Sequence, residues 1–417
     1  MSAPAHAPAH AHEPAHESAS SAARVPTPPI GPRANPYLDI ESYDAQGDLM
    51  ALNMGPQHPS THGVLRLKLW LDGEVVVKAV PYLGYLHRGV EKLLEKLSYV
   101  QATPIVDKND YVAAMCNELA LVMAFEKLEG CEVPRRARWL RTICAEMQRV
   151  ASHLLWLGTF SLDMGGALGG GTSVFMYCMR ERERILDLFE ELSGARFHYH
   201  MMQIGGVRHD APAGWDKRLL EVAHEIAARI PEYERLLSDN PIFTARTRGV
   251  GRIDALLAQE LGLSGPNLRA CGVDFDLRRD QPYAAYDEIR VEVAVEYGGD
   301  VYSRYLVRLA EMRESLRIAT TMIQGLPEGP IMGRKPIETV TAVKPPAGEA
   351  YVAIDSPRGE LGTWVVSDGS PKPYRCKIRP PSYHALAALP YLLPGTTIPD
   401  VVVILGSLDP IMGEADR

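Results

Sequence analysis

Two Asp-Gly pairs stand near opposite ends of the 417-residue chain, each between runs of alternating apolar and polar residues. Asp72-Gly73 separates Val64 to Leu71, where Arg66 and Lys68 alternate with Leu65, Leu67 and Leu69, from Val75 to Val80. Asp368-Gly369 separates Thr363 to Val366 from Tyr374 to Ile378. Period-two alternation gives a strand one apolar face, and Asp-Gly supplies the positive φ that a tight hairpin turn needs. The pattern predicts a β-hairpin over 64–80 and a β-rich segment over 350–417, with strands from both ends sharing one small sheet.

Between these hairpins the period changes to that of helices. Asp110 to Leu128 stops at Gly130, Pro134 opens a run to about Phe160, and Glu181 to Leu192 stops at Ser193-Gly194. Trp215 to Leu237 and Gly299 to Gln324 carry apolar residues at helical spacing, with Pro231 expected to kink or split the first. The expectation is therefore an α+β fold: a central helical bundle over about 86–325 flanked by a small sheet. Residues 1–36 are Ala-, Pro- and His-rich and cannot support a core, so they read as a disordered tail, and 37–417 as one domain.

The charge balance narrows function. With 44 Lys+Arg against 52 Asp+Glu the net charge is −8, whereas a protein that tracks nucleic-acid phosphates needs a basic face. No run of about 18 apolar residues occurs, so a transmembrane helix is not expected. The six cysteines, at 116, 131, 144, 178, 271 and 376, contain no C-x-x-C, which disfavours a zinc ribbon or a self-contained iron–sulfur site, and no metal ligand set is expected. The tail lacks the apolar core of a signal peptide, and Glu13 and Glu17 disfavour a mitochondrial presequence, so a bacterial protein is expected.

Three groups of residues have the chemistry of a site. Gly55-Pro56-Gln57-His58-Pro59-Ser60-Thr61-His62-Gly63 is a Pro/Gly-shaped loop with two histidines that titrate near neutral pH. Asp107-Lys108-Asn109-Asp110-Tyr111 opens a helix; Asp110 reads as an N-cap or first-turn carboxylate, and Tyr111 as a phenol donor or a wall residue. His153 and Asp163 lie near the end of the second long helix, before the glycine-rich 165–171 segment, which lacks the Gly-Lys-Ser/Thr of a phosphate loop. A carboxylate such as Asp163 can orient a loop histidine. The residues alone describe a His/Tyr/Asp acid–base site without a substrate.

At these same positions the sequence resembles the D subunit of respiratory complex I, the proton-translocating NADH:quinone oxidoreductase. The resemblance rests on GPQHPSTHGVLRL (55–67), LGYLHRGVEKLLE (83–95), NDYVAAMCNE (109–118), ASHLLWLGT (151–159), RERERILDLFEELSGARFH (180–198), IGGVRHD (204–210), SPRGELGTWVVSDG (356–369), PYRCKIRPPS (373–382) and SLDPIMGEADR (407–417). It implies a fold like the large subunit of nickel–iron hydrogenases, whose metal-binding cysteine pairs have no counterpart here: the corresponding stretch reads Asp409-Pro410-Ile411-Met412-Gly413-Glu414. It also implies a quinone head-group site, with His62 and Tyr111 as donors to the two quinone oxygens, Asp163 as the partner of His62, and His58 on the same loop. Lys108, where the family usually has an arginine, and His198, which matches a family histidine whose protonation is linked to cluster reduction, would lie near a 4Fe-4S cluster held by a neighbouring chain. The implied partners are the B subunit with that cluster, the C and I subunits and the H subunit in the membrane, with NAD bound elsewhere. The implied location is peripheral, on the cytoplasmic side of the bacterial inner membrane, with no homo-oligomer. A ferredoxin-driven relative, or a structural platform without catalytic residues, stays open from these residues alone.

Overall fold

The computed structural model describes residues 49–164, 171–334 and 341–417. The expected tail at 1–36, and most of the glycine-rich stretch after Asp163, lie outside them.

The amino-terminal sheet is antiparallel, β1 (Met50–Met54), β2 (Arg66–Asp72) and β3 (Val75–Tyr82), in that order. Leu65, Leu67 and Leu69 are fully buried while Arg66 and Lys68 reach the half-exposed face, as the alternation requires. Asp72 pairs with Val75 across the expected turn. Short helices α1 (Val90–Leu94) and α2 (Tyr99–Val106) lead to the bundle: α3 (Ala114–Glu129), α4 (Arg135–Asp163) and α5 (Gly171–Ser193). A two-stranded ribbon, β4 (Met202–Gln203) and β5 (Gly206–Val207), precedes α6 (Trp215–Leu237). The short helices α7 (Pro241–Thr247), α8 (Ala255–Glu260), α9 (Gly265–Arg269) and α10 (Leu277–Asp280) connect it to α11 (Val301–Gln324). Strands β6 (Gly348–Ser356), β7 (Gly359–Ser367) and β8 (Arg375–Arg379) form a second antiparallel sheet. The chain closes with α12 (Pro381–Ala387), α13 (Leu389–Leu392), α14 (Ile398–Leu408) and α15 (Met412–Asp416).

The α+β architecture is as expected, but the single shared sheet is not. Each end builds its own three-stranded sheet, and the two sheets are not joined among the described residues; β3 instead meets the chain's later part through Val76 N–H, which donates to Thr396 O (2.8 Å), and Gly395 N–H, which donates to Val76 O (2.7 Å). Both sheets are completed by strands without a turn signature beside them: β1, and β6, which joins β7 through Pro357-Arg358. Helix α5 starts ten residues before the expected Glu181. Pro231 lies within a continuous α6, and Pro134 sits at the N-cap of α4.

Helix α4 runs through the core between α3, α5, α11 and α14. It carries ionisable groups into the interior: Glu146, Arg149 and His153 are buried. Arg278 bridges Glu146 (3.1 Å) and Asp276 (2.7 Å), and Arg269 bridges Glu311 (2.8 Å) and Asp355 (3.0 Å). Arg149 approaches Asp355 at 3.2 Å, and His153 Nε2 lies 2.9 Å from Glu311. Each charge has a partner, which is the condition for burying it. Helices α4, α9, α10 and α11 are thereby locked to β6.

Candidate functional site

The His58–Gly63 loop is held by its own backbone. Thr61 Oγ1 donates to His58 O (2.8 Å) and to Gly63 O (2.9 Å). His62 adopts a left-handed conformation, with φ 51°. Non-glycine residues enter that region at a cost, so the surrounding contacts fix it there. His62 Nε2 lies 2.5 Å from Asp163 Oδ2 at the end of α4. Helix α14 makes room for this pair at Gly406, where a Cβ would lie 2.6 Å from Asp163 Oδ2 and 3.3 Å from His62 Nε2. Trp156 Nε1–H donates to Gly406 O (2.8 Å), fixing α14 against α4.

Burial disfavours the His62 imidazolium, but the hydrogen bond and charge of Asp163, with the charge of Asp409, outweigh it and raise the pKa above 6.5. The structure thus brings together the loop histidine and the carboxylate that the sequence singles out. It separates His153, which is buried against Glu311 in the core and pushed down to about 4, chiefly by burial. His153 is a structural group.

Tyr111 lies not in a helix but in the turn between α2 and α3. Asp110 is not the expected cap, since α3 starts at Ala114 with Ala113 as its N-cap; it accepts from the N–H groups of Val112 and Ala113 (both 3.1 Å) in the turn before the helix. Its other oxygen pairs with buried Arg358 at 2.6 Å, and Arg358 also approaches Asp409 at 3.4 Å. Burial, then the charge of Asp110, raise the Tyr111 phenol above 10, so it is a donor that stays protonated. Tyr111 does not hydrogen-bond to His62 among the described residues. What links them is Asp409, whose charge acts on both, and the start of α15. A Cβ on Gly63 would lie 2.9 Å from Met412 Cγ, and one on Gly413 would lie 3.6 Å from Tyr111 Cδ1.

Two recesses flank this junction. One of about 610 Å³ is lined by Pro56, Gln57, exposed His58, Pro59, Gly63 and Val64. The other, about 370 Å³, is lined by Tyr85, Leu86, His87, Arg88, Lys108, Tyr111 and Gly413. Beside the second, Phe197 bridges the Tyr111 ring (6.4 Å between centroids) and the His198 ring (4.6 Å). Burial first, then the charges of Lys108 and Arg88, lower the His198 pKa below 6.5. Lys108, Tyr111 and His198 therefore share one neighbourhood.

Arg358, Asp409 and Gly406 are absent from the sequence-derived candidates. Arg358 sits in a hairpin turn and Asp409 at a left-handed helix end, φ 53°, and neither carries a local signal of the other.

Residues 169–417 match the family model described as respiratory-chain NADH dehydrogenase, 49 Kd subunit. The chain is 46% identical over 405 residues to the D 2 subunit of NADH-quinone oxidoreductase from Koribacter versatilis, covering 92% of this chain and 99% of the relative. It is 47% identical over 368 residues to the D subunit of NADH-quinone oxidoreductase from Geobacillus kaustophilus, covering 88% and 98%. Among the described residues no helix is long and apolar enough to cross a membrane. With the matched segment spanning more than half its length, the chain belongs to the family of the 49 Kd subunit of the respiratory-chain NADH dehydrogenase.

Proposed function

We propose that this chain forms the quinone head-group site of a proton-translocating NADH:quinone oxidoreductase, beside a 4Fe-4S cluster held by the B subunit. The observation that carries the reading is the His62–Asp163 pair, 2.5 Å apart, at a junction shared with Tyr111. Reduction of a quinone places negative charge on two oxygens across a ring, and donors aimed at each oxygen stabilise it where it develops. The raised pKa favours the charged form of His62, from which it can deliver a proton, while Tyr111 donates a hydrogen bond without ionising. His58 lines the approach. Loss of the His62 proton leaves Asp163 without its countercharge, which supplies a local electrostatic change for coupling to the membrane arm.

Lys108 and His198 face the partner's cluster in this reading, and the chain sits peripherally on the cytoplasmic side of the bacterial inner membrane with the B, C, I and H subunits. The test is His62→Ala and Tyr111→Phe in the assembled complex. Loss of most NADH:quinone activity, with NADH oxidation by an artificial upstream acceptor retained, is expected. Full quinone activity in both variants makes the chain a structural platform.

A further inference from the structure

Asp107 follows α2, Glu118 lies in the first turns of α3, and His200 lies between α5 and β4. One ligand-capable atom of each lies within 4.8 Å of the other two. Asp107 and Glu118 are both 0% exposed, yet neither oxygen of Asp107 nor Oε1 of Glu118 has a hydrogen-bond partner. The second Glu118 oxygen accepts from Met202 N–H at 2.7 Å, which aims Oε1 into the cluster. His200 Nδ1 is 2.9 Å from Asp107 Oδ2 but out of line for a hydrogen bond, so its lone pair is also uncommitted.

The two carboxyls face each other and, more loosely, the His200 backbone N–H, and two desolvated carboxylates so placed need either a cation or a shared proton between them. Among the described residues, no Lys or Arg nitrogen forms an ion pair with either one; His200 is the sole basic neighbour in contact. Lys108 and Arg208 border the cluster, but both are exposed and act only at range, on Asp107 and on His200.

We propose that Asp107, Glu118 and His200 bind one divalent metal ion of the zinc(II) class, through two carboxylate oxygens and the imidazole Nδ1. Calcium and magnesium prefer shells of six or more oxygens, whereas a compact set of two oxygens and one nitrogen suits a tetrahedral ion with one open position. Bonds of about 2.0–2.2 Å place tetrahedral ligands roughly 3.3–3.6 Å apart. The observed 2.9 Å contact and the 4.8 Å upper limit bracket that spacing. Of the three ligands His200 is the one solvent reaches, its side chain being 37% exposed, which gives an ion an entry path. The competing occupant is a proton shared by the two carboxyls. The sequence gives no hint of a metal set because the three ligands are scattered over positions 107, 118 and 200 without motif spacing.

Equilibrium dialysis of the full chain against Co²⁺ at neutral pH, with visible absorption as the second readout, tests the site. His6, His10, His12 and His16 also offer nitrogens, but they are the same in every variant. The wild-type chain is expected to bind one more Co²⁺ than either His200→Gln or Glu118→Gln, with the intense visible bands of four- or five-coordinate cobalt, and both variants should lose affinity roughly ten-fold or more. Glu118→Gln keeps the acceptor for Met202, and His200 is partly exposed, so circular dichroism should show both variants folded. Equal stoichiometry and spectra in wild type and His200→Gln would mean that the amino-terminal histidines hold all the metal and would overturn the proposal. So would the absence of four- or five-coordinate bands in the wild type together with a Glu118→Gln variant of higher melting temperature, the signature of a shared proton.

Discussion

Gly406 of α14 faces the Asp163 carboxylate so closely that a Cβ there would lie 2.6 Å from Oδ2. The His62–Asp163 pair therefore depends on a helix that contributes no polar side chain to it. Gly406→Ala should push Asp163 off His62 and cost about 1–3 kcal/mol as an overpacked core does. In the assembled complex, quinone reduction should fall while upstream NADH oxidation persists. Unchanged quinone activity would show that the 2.5 Å contact is not needed.

Asp163→Asn should invert the pH dependence contributed by His62. In the wild type the folded pKa is raised above 6.5, so this stabilisation is complete below 6.5 and fades as pH rises through the folded value. Without the Asp163 charge, burial dominates and the histidine's contribution improves as pH rises. Denaturant unfolding of both chains from pH 5.5 to 9 should show their stability gap shrinking steadily; a constant gap contradicts the pairing.

Arg358 is the shared counter-ion of Asp110 and Asp409, all three buried. Arg358→Met leaves two carboxylates without a cation and should destabilise the chain by about 3–5 kcal/mol, the usual cost of breaking a buried pair on one side. Adding Asp110→Asn should recover part of that loss. If the double variant is no more stable than the single one, the pair is not the source.

Glu311 is depressed far below 4.5 because Arg269, His153 and Arg149 surround it and outweigh its burial. A depressed carboxyl stabilises above its unfolded pKa and loses that contribution as pH falls. Glu311→Gln should be clearly less stable than wild type at pH 7, and the difference should narrow in unfolding measurements as pH drops below 4.5.

What is legible in the sequence follows from range. Hairpins, helix ends at Gly130, and the Pro/Gly-shaped loop at His58–His62 have local signatures, because turns and periodicity are read within a few residues. The tie of Asp163 to the loop histidine comes through the family resemblance, and residue chemistry alone leaves it open. Arg358, Asp409 and Gly406 carry no such signature because their roles are set by partners on distant elements. Asp110 shows the same limit: its local reading as a helix cap fails, since α3 begins at Ala114 with Ala113 as its N-cap; Asp110 accepts from Val112 and Ala113 in the preceding turn, and its bond to Arg358 crosses from the α2–α3 turn to the β6–β7 turn. His153 fails as a companion of Asp163 for the opposite reason, since closeness along α4 does not place two side chains in one site.

The contact between Val76 and Gly395-Thr396 also bears on how the molecule forms. Contacts between remote chain positions close large loops, and the rate of folding falls as such contacts come to dominate. His62 meets Asp163, Gly63 meets Met412, and Asp110 meets Arg358, so the junction draws on early, middle and late segments together. During synthesis the amino-terminal sheet must wait, with its edge incomplete, for nearly the whole chain to emerge. The junction around the His62–Asp163 pair therefore cannot be complete until the segment holding Gly406 and Met412 is in place.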